Sequence, residues 1–267
     1  MANFGSKYTL SWVTPTADCR LWIKQEGYTG VSTALDPAPT PVSIRWGEQG
    51  RDDLTSPLRI STARIRFIGD SDGEMVEEIF DGGDTEYQVK FWRDPERDGS
   101  YELEWEGYLA TDLWRDNPHL PAEVVELEAI DGLALLENRE AYTSQDPSSG
   151  EWSLYDPSLA LSKILRGWTP EGGHAVPMHD LPITTSQNWR PDGLDVGNDQ
   201  KAQPLDKMDL YNPAFQELDD QEEVVDTLDQ RTQLEGILER FGLTLMLSGG
   251  EWRLRQRDQI DDGTSLK

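Results

Sequence analysis

The sequence predicts an α+β fold that is mainly β, with a β-barrel domain over residues 1–138 followed by a smaller α+β domain over residues 139–267. Two observations lead to this prediction. Short segments of the first half alternate apolar and polar residues, and turn signals separate them about every ten residues, which is typical of a barrel or sandwich. The second half instead carries two segments of helical periodicity, separated by a long irregular stretch and followed by a hairpin pattern.

Most of the predicted strands of the first domain show alternation with period two. In chain order they cover residues 8–12, 20–24, 43–46, 61–67, 87–92, 101–109 and 125–129. Residues 34–41 (ALDPAPTP) are predicted to form a surface connection, because proline cannot donate to a strand ladder. Turns are predicted at 70–73 and 81–84, where Asp caps its own backbone and Gly supplies positive φ, and a hairpin loop at 94–99.

The segment from 101 to 137 is the most informative part of the chain. One predicted strand face carries Tyr101, Leu103, Trp105, Gly107 and Leu109, and the other carries Glu102, Glu104, Glu106 and Tyr108. This pattern predicts a half-exposed sheet layer. The next strand ends at Asp131-Gly132 and runs directly into a leucine-rich turn. Because the layout contains no cluster of reactive side chains, it favours a structural module over an enzyme.

Helical periodicity begins in the second domain at residues 157–167. Asp156 is a good N-cap and proline suits the first helical position, so that Leu161, Ile164 and Leu165 would share one face. Residues 169–216 show little periodicity and are predicted to form a long loop, which is unusual unless the loop serves an interface.

A second helix is predicted over residues 220–241, with Gly242 closing it. Its predicted apolar face comprises Val224, Val225, Leu228, Leu234, Ile237, Leu238 and Phe241. A hairpin follows, with strands at 244–247 and 251–257 and a turn at 248–250. Trp252 and Leu254 would share one face of its second strand. Arg253, Arg255 and Arg257 would share the other, and we expect them to meet carboxylates on this chain or on a neighbour.

Composition and charge exclude several classes of function. Hydrophobic residues make up only 36 % of the chain, but ten Trp, eight Tyr and six Phe predict a thin core rich in aromatic residues. The formal charge of −27 argues against direct binding of nucleic acid, for which phosphates must be neutralised, or of an anionic membrane. The acids are spread along the whole chain, which favours a halophilic protein over an ordinary acidic one. A salt titration of stability separates the two.

The sequence predicts no catalytic, cofactor-binding or metal-binding residues. His119, His174 and His179 lack the spacing of a zinc helix. Residues 70–74 and 192–199 are weak calcium candidates whose ligand pattern is incomplete. Cys19 is expected to be a small buried apolar residue. The tryptophans at 92, 105 and 114 could form a sugar-stacking platform, but core or interface positions are the favoured interpretation.

The N-terminal residues carry no signal-peptide pattern, and no apolar stretch approaches the length of a membrane span. We therefore expect a protein that is made in the cytosol and does not insert into membranes.

Four segments, taken in order, carry a resemblance to a known family. Trp105-Glu106-Gly107-Tyr108-Leu109 is similar to a W-x-G-aromatic-L strand, and residues 125–133 to a strand that ends in D-G-L. Residues 157–165 are similar to the helix that opens the next domain. Residues 234–254 are similar to a helix end that is followed by a strand, a tight glycine turn and a last strand that opens with Trp252. In this order and spacing the chain resembles the baseplate hub proteins of long-tailed bacteriophage tails.

The resemblance implies a tail-tube-like β-barrel as the first domain and assembly of the chain into a homo-oligomeric ring on the tail axis, with a trimer favoured. It implies contacts with other tail proteins, such as the distal tail or tube protein, the tape measure, and the tip fibre or spike. The protein would be part of the virion tail, assembled in the host cytoplasm.

Three alternatives remain open. A distal tail ring protein would share the barrel but form a ring of six. A carbohydrate-binding β protein would be a monomer with exposed, coplanar aromatic rings. A hydrolase with paired carboxylates would need two acids about 5 to 9 Å apart in a pocket, one with a raised pKa.

Overall fold

The structure, a computed structural model, describes most of the first half of the chain and shorter parts of the second. The described residues are 3–47, 56–69, 74–83, 85–110, 124–139, 154–155, 157–167, 181–186, 210–211, 216–218, 224–227 and 229–256. By its contacts the chain divides into two compact units. The barrel unit comprises Met1–Asp53, Arg59–Ala134 and Met246–Trp252, and the second unit comprises Leu54–Leu58, Leu135–Leu245 and Arg253–Lys267.

The elements are numbered in chain order. The strands are β1 (Phe4–Thr14), β2 (Ala17–Glu26), β3 (Thr33–Trp46), β4 (Leu58–Arg59), β5 (Ser61–Ile68), β6 (Tyr87–Asp94), β7 (Glu102–Leu109), β8 (Val124–Ile130), β9 (Leu154–Tyr155), β10 (Ile183–Ser186), β11 (Leu210–Tyr211), β12 (Gln216–Leu218), β13 (Val224–Thr227), β14 (Leu243–Ser248) and β15 (Glu251–Gln256). The helices are α1 (Glu74–Phe80), α2 (Pro157–Leu165) and α3 (Gln230–Arg240), and a 3₁₀ helix covers Gly132–Asn138.

Seven strands close into a barrel in the order β1-β2-β6-β7-β8-β5-β3. The inward-facing side chains alternate with outward-facing ones along each strand and fill the interior. The innermost of them are almost completely inaccessible to solvent: Leu10, Leu21, Ile23, Ala63, Ile65, Phe67, Val89, Leu127 and Ala129. The prediction of a mainly β protein containing a barrel is therefore confirmed.

The prediction that the proline-rich segment 34–41 forms a surface connection is wrong, because this segment is part of β3. This strand pairs in parallel with β1 through Thr33, Ala34 and Leu35 and antiparallel with β5, where the register shifts between Pro37 and Val42. Pro39 and Pro41 fall inside that shift, where no ladder hydrogen bond is required of them. Prolines are thus tolerated because the ladder is interrupted where they lie.

The strand β7 is not half-exposed over its length. Glu106 and Tyr108 belong to the face that was predicted to be exposed, yet they retain only 1 % and 0 % of their accessible surface. The carboxylate of Glu106 lies 2.8 Å from Nζ of Lys90 on the neighbouring strand β6. A cross-strand ion pair therefore accompanies the burial of this acid.

The tip of the β14–β15 hairpin belongs to the barrel unit. Among the residues that the structure describes, β7 pairs with β8 at Tyr108 and Leu109. The carbonyl of Glu104, earlier in β7, accepts a hydrogen bond from the N–H of Gly250 at 3.1 Å. Gly249 and Gly250 both adopt positive φ, as a two-residue hairpin turn requires. The predicted hairpin is confirmed, and its turn supplies β7 with a backbone partner.

Helix α2 buries the face that the sequence predicts, since Leu161, Ile164 and Leu165 are buried. The predicted helix over 220–241 is wrong in its first half, because Val224–Thr227 forms strand β13 and pairs with β12. β-branched residues favour a strand there, and Asp229 starts the helix by accepting a hydrogen bond from the N–H of Thr232 at 2.7 Å.

The predicted loop over residues 169–216 contains strands. β10 joins a four-stranded sheet of order β10-β15-β14-β4, and β11 pairs with β9. Helix α1 was not predicted from the sequence. Within the described ranges, no helix is both long and apolar enough to cross a membrane.

Candidate functional site

Two of the four segments that carry the family resemblance meet at one buried position. Ser61, the first residue of β5, donates a hydrogen bond from its hydroxyl to Oδ2 of Asp131 at 2.7 Å and another from its backbone N–H at 2.6 Å. Nε1 of Trp105 donates to Oγ of Ser61 at 2.8 Å. We call these three residues the Ser61 network.

The carboxylate of Asp131 also fixes the turn that follows β8. Its Oδ1 accepts a hydrogen bond from the N–H of Leu133 at 3.0 Å, and its backbone carbonyl accepts from the N–H of Ala134 at 3.3 Å. Asp131 thus caps the 3₁₀ helix, as an aspartate caps the first turn of an α-helix. The aspartate of the D-G-L motif joins the end of β8 to the start of β5 and to the next element.

The Ser61 network is completely enclosed by protein, since Ser61, Trp105 and Asp131 each expose at most 1 % of their surface. Burial raises the pKa of Asp131 to about 6, and the hydrogen bonds from Ser61 and Leu133 oppose this rise. The buried carboxylate of Asp131 accepts three hydrogen bonds, so its hydrogen-bonding capacity is well satisfied. The Oγ atom of Ser61 lies between Asp131 and Trp105 and is bonded to both. This arrangement stabilises the fold and offers no open position to a substrate.

Gly107 explains the spacing of the W-x-G motif. A Cβ atom at this position would collide with the carbonyl oxygen of Ile130 and with the six-membered ring of Trp105. The indole therefore lies across the glycine of its own strand, where any larger residue would displace it. Trp105 and Gly107 are needed together so that the indole N–H reaches Ser61.

A second polar cluster fastens helix α1 to the barrel. Lys7 donates to Oε1 of Gln25 at 2.8 Å and forms a short ion pair with Glu78 of α1. The hydroxyl of Tyr8 donates to Oε2 of Glu78 at 3.0 Å. The hydrogen bond from Lys7 lowers the pKa of Glu78, and burial raises the pKa of Tyr87, whose ring also faces the ammonium, to about 12.

The three tryptophans that the sequence singled out have different surroundings. Trp105 is core, as the favoured interpretation predicts. Trp92 lies on the barrel exterior against Trp22, with ring centroids 5.6 Å apart and planes inclined by 50°. Trp114 lies outside the described residues. The Trp22–Trp92 pair is not coplanar, unlike the platform that flat sugar stacking requires.

The other candidate positions fall mostly outside the described part of the chain. This holds for His119, His174 and His179, for the calcium candidate at 192–199, and for 70–73 of the other one. The described residues contain no group of three His, Cys, Asp or Glu side chains that could hold a metal ion. Cys19 is buried, as predicted, and burial raises the pKa of its thiol.

The arginine row of β15 is only partly described, since Arg257 lies beyond the described residues. Burial and the neighbouring Arg253 lower the pKa of Arg255. That these arginines meet carboxylates stays a prediction.

Sequence reasoning missed Ser61 and Lys7. A signal for Ser61 does exist, because it is the polar member of an otherwise apolar inward series with Ala63, Ile65 and Phe67. A polar residue at an inward position needs a buried partner. No comparable signal marks Lys7, whose partner Glu78 lies on the helix that the sequence did not predict.

No protein-family model matches this chain, and no curated protein matches it.

Proposed function

We propose that this protein is a structural component of a bacteriophage tail tip. In this proposal it is a baseplate hub that forms a ring on the tail axis and connects the tail tube or distal tail ring to the tip fibre or spike. Its first domain would be a tail-tube-like barrel. Its partners would be further copies of itself, with a trimer favoured, and neighbouring tail proteins, and its location the virion tail.

The observation that carries the proposal is the convergence of two of the four resembling segments on Ser61. Trp105 and Asp131 are 26 positions apart in the sequence, and both bond Ser61 in the closed barrel. Trp105 and Asp131 therefore help to determine the fold, which is the role expected of them in a structural protein.

Exposed apolar side chains on the barrel unit also favour assembly. Val13, Val31 and Ile68 expose 69 %, 89 % and 45 % of their surface. Contacts with further subunits would remove such surface from water and so stabilise the protein. The acidic surface would repel DNA that passes through the ring and keep it from sticking.

The mass of the purified protein in solution tests the proposal. The protein should be prepared in high salt, because a halophilic protein relies on salt to screen its own charge. Light scattering coupled to size exclusion should give three times the chain mass of 30.2 kDa. Six times that mass would favour the distal tail ring protein, and a monomer across all salt and protein concentrations would contradict both.

A further inference from the structure

The outer surface of the barrel carries a group of cationic and aromatic side chains on β2 and β6. Every second residue of β2 is buried inside the barrel, so the residues between them face outward. The register of the two strands places Arg20 opposite Trp92, and Trp22 opposite Lys90. We call this group the cation–aromatic patch, and its members are Arg20, Trp22, Lys24, Lys90 and Trp92.

Aromatic side chains in and beside the patch hold its geometry. Trp22 and Trp92 contact each other at a centroid distance of 5.6 Å, and the guanidinium of Arg20 lies 3.9 Å from the ring centroid of Tyr101. A cation over an aromatic face is attracted by the ring and loses freedom to move. Arg20 is therefore presented at the surface in one orientation.

Two of the three cations in the patch form no ion pair among the residues that the structure describes. Lys90 is paired with Glu106, whereas neither Arg20 nor Lys24 forms an ion pair there. Burial, followed by the charge of Lys90, lowers the pKa of Lys24, and the carboxylate of Glu106 opposes this shift. The positive charges of Arg20 and Lys24 can therefore be stabilised by a carboxylate that approaches from outside, and the chain carries 51 acids against 24 bases.

We propose that the cation–aromatic patch is a subunit contact that receives an acidic surface of a second copy of this chain. Arg, Trp and Tyr dominate the binding energy of protein interfaces, and opposite charge steers and orients the encounter. A second copy, with its net charge of −27, offers many carboxylates. The same net charge disfavours a nucleic acid at this position. This inference rests on the proposed self-assembly and assigns one of its contacts.

Charge reversal at one member of the patch tests the inference against a matched control. Arg20→Glu and Arg45→Glu make the same change in charge at two exposed arginines, one on β2 and the other on β3. Sedimentation of the full chain over a range of protein concentrations should show self-association weakened by about tenfold or more in Arg20→Glu. Arg45→Glu should stay within about twofold of wild type, because surface charges away from a contact matter little.

Further measurements keep the test decisive. Circular dichroism should show that each variant is folded, and Lys24→Glu replaces Arg20→Glu if the latter is not. Self-association unchanged in both patch variants would overturn this inference and leave the ring proposal standing. A monomeric wild type would overturn both. Binding of a labelled single-stranded oligonucleotide that Arg20→Glu abolishes, without self-association, would also overturn it.

Discussion

Trp105 should be among the most costly residues of the barrel to replace. Its side chain is 1 % exposed, and its Nε1 supplies the donor that Ser61 Oγ accepts at 2.8 Å. Trp105→Ala removes a large buried side chain and should lower the free energy of unfolding by about 3–5 kcal/mol. Trp105→Phe keeps part of the ring but leaves the hydroxyl oxygen without its donor, which should cost roughly 1–3 kcal/mol.

Denaturant unfolding in high salt, followed by far-ultraviolet circular dichroism, measures both variants. Trp46→Ala is the control, because Trp46 is 37 % exposed and lies outside the cation–aromatic patch. It should therefore cost less than Trp105→Ala. If Trp105→Ala unfolds at the same denaturant concentration as wild type, or costs no more than Trp46→Ala, the assignment of Trp105 to the core and to the Ser61 network is wrong.

Three further perturbations test the two polar clusters. The folded-state pKa of Asp131 is about 6 and exceeds the ordinary value of 3.8. The stability that this group contributes is therefore fully present below about pH 4 and declines by about 3 kcal/mol as the pH rises to 6. Asp131→Asn should remove this pH dependence from the free energy of unfolding measured in denaturant titrations, and an unchanged dependence would refute the raised pKa. Gly107→Ala should lower the melting temperature through overpacking against Ile130, at a cost of roughly 1–3 kcal/mol, and a silent substitution would show that the space is larger than described. Lys7→Met and Glu78→Gln should show a coupling energy of about 0.5–1 kcal/mol in a double-mutant cycle, a modest value because Glu78 is half-exposed. Since the pKa of Glu78 is lowered, this coupling should be present above about pH 4.5 and be lost in acid. Strictly additive effects at neutral pH would exclude the contact.

The barrel could largely be predicted from sequence because strands such as β2 and β5 bury one face. In β5, Ala63, Ile65 and Phe67 are all fully buried, and alternation of this kind records burial on one side of a sheet. The closing order of the strands could not be predicted, since it depends on pairing between distant segments. Helix α1 was not predicted because its seven residues are too few to show a clear helical periodicity.

Local patterns failed where pairing overrode them. The apolar residues at 224 and 225 fit a helical face, but pairing of β13 with β12 places them in a strand. Likewise, the prolines of β3 are incompatible with a regular ladder of hydrogen bonds, but they lie in a strand because its register with β5 shifts where they occur. The Ser61 network joins residues that are 44 and 70 positions apart. The register of β5 against β8 brings Ser61 next to Asp131, and Trp105 reaches them from β7.

Electron microscopy of the purified protein tests the central claim most directly. Class averages from particles in high salt should show closed rings with threefold symmetry and an open centre, because the proposed hub is completed only by its own copies. Uniform particles of the size of one chain at every protein concentration would contradict the account.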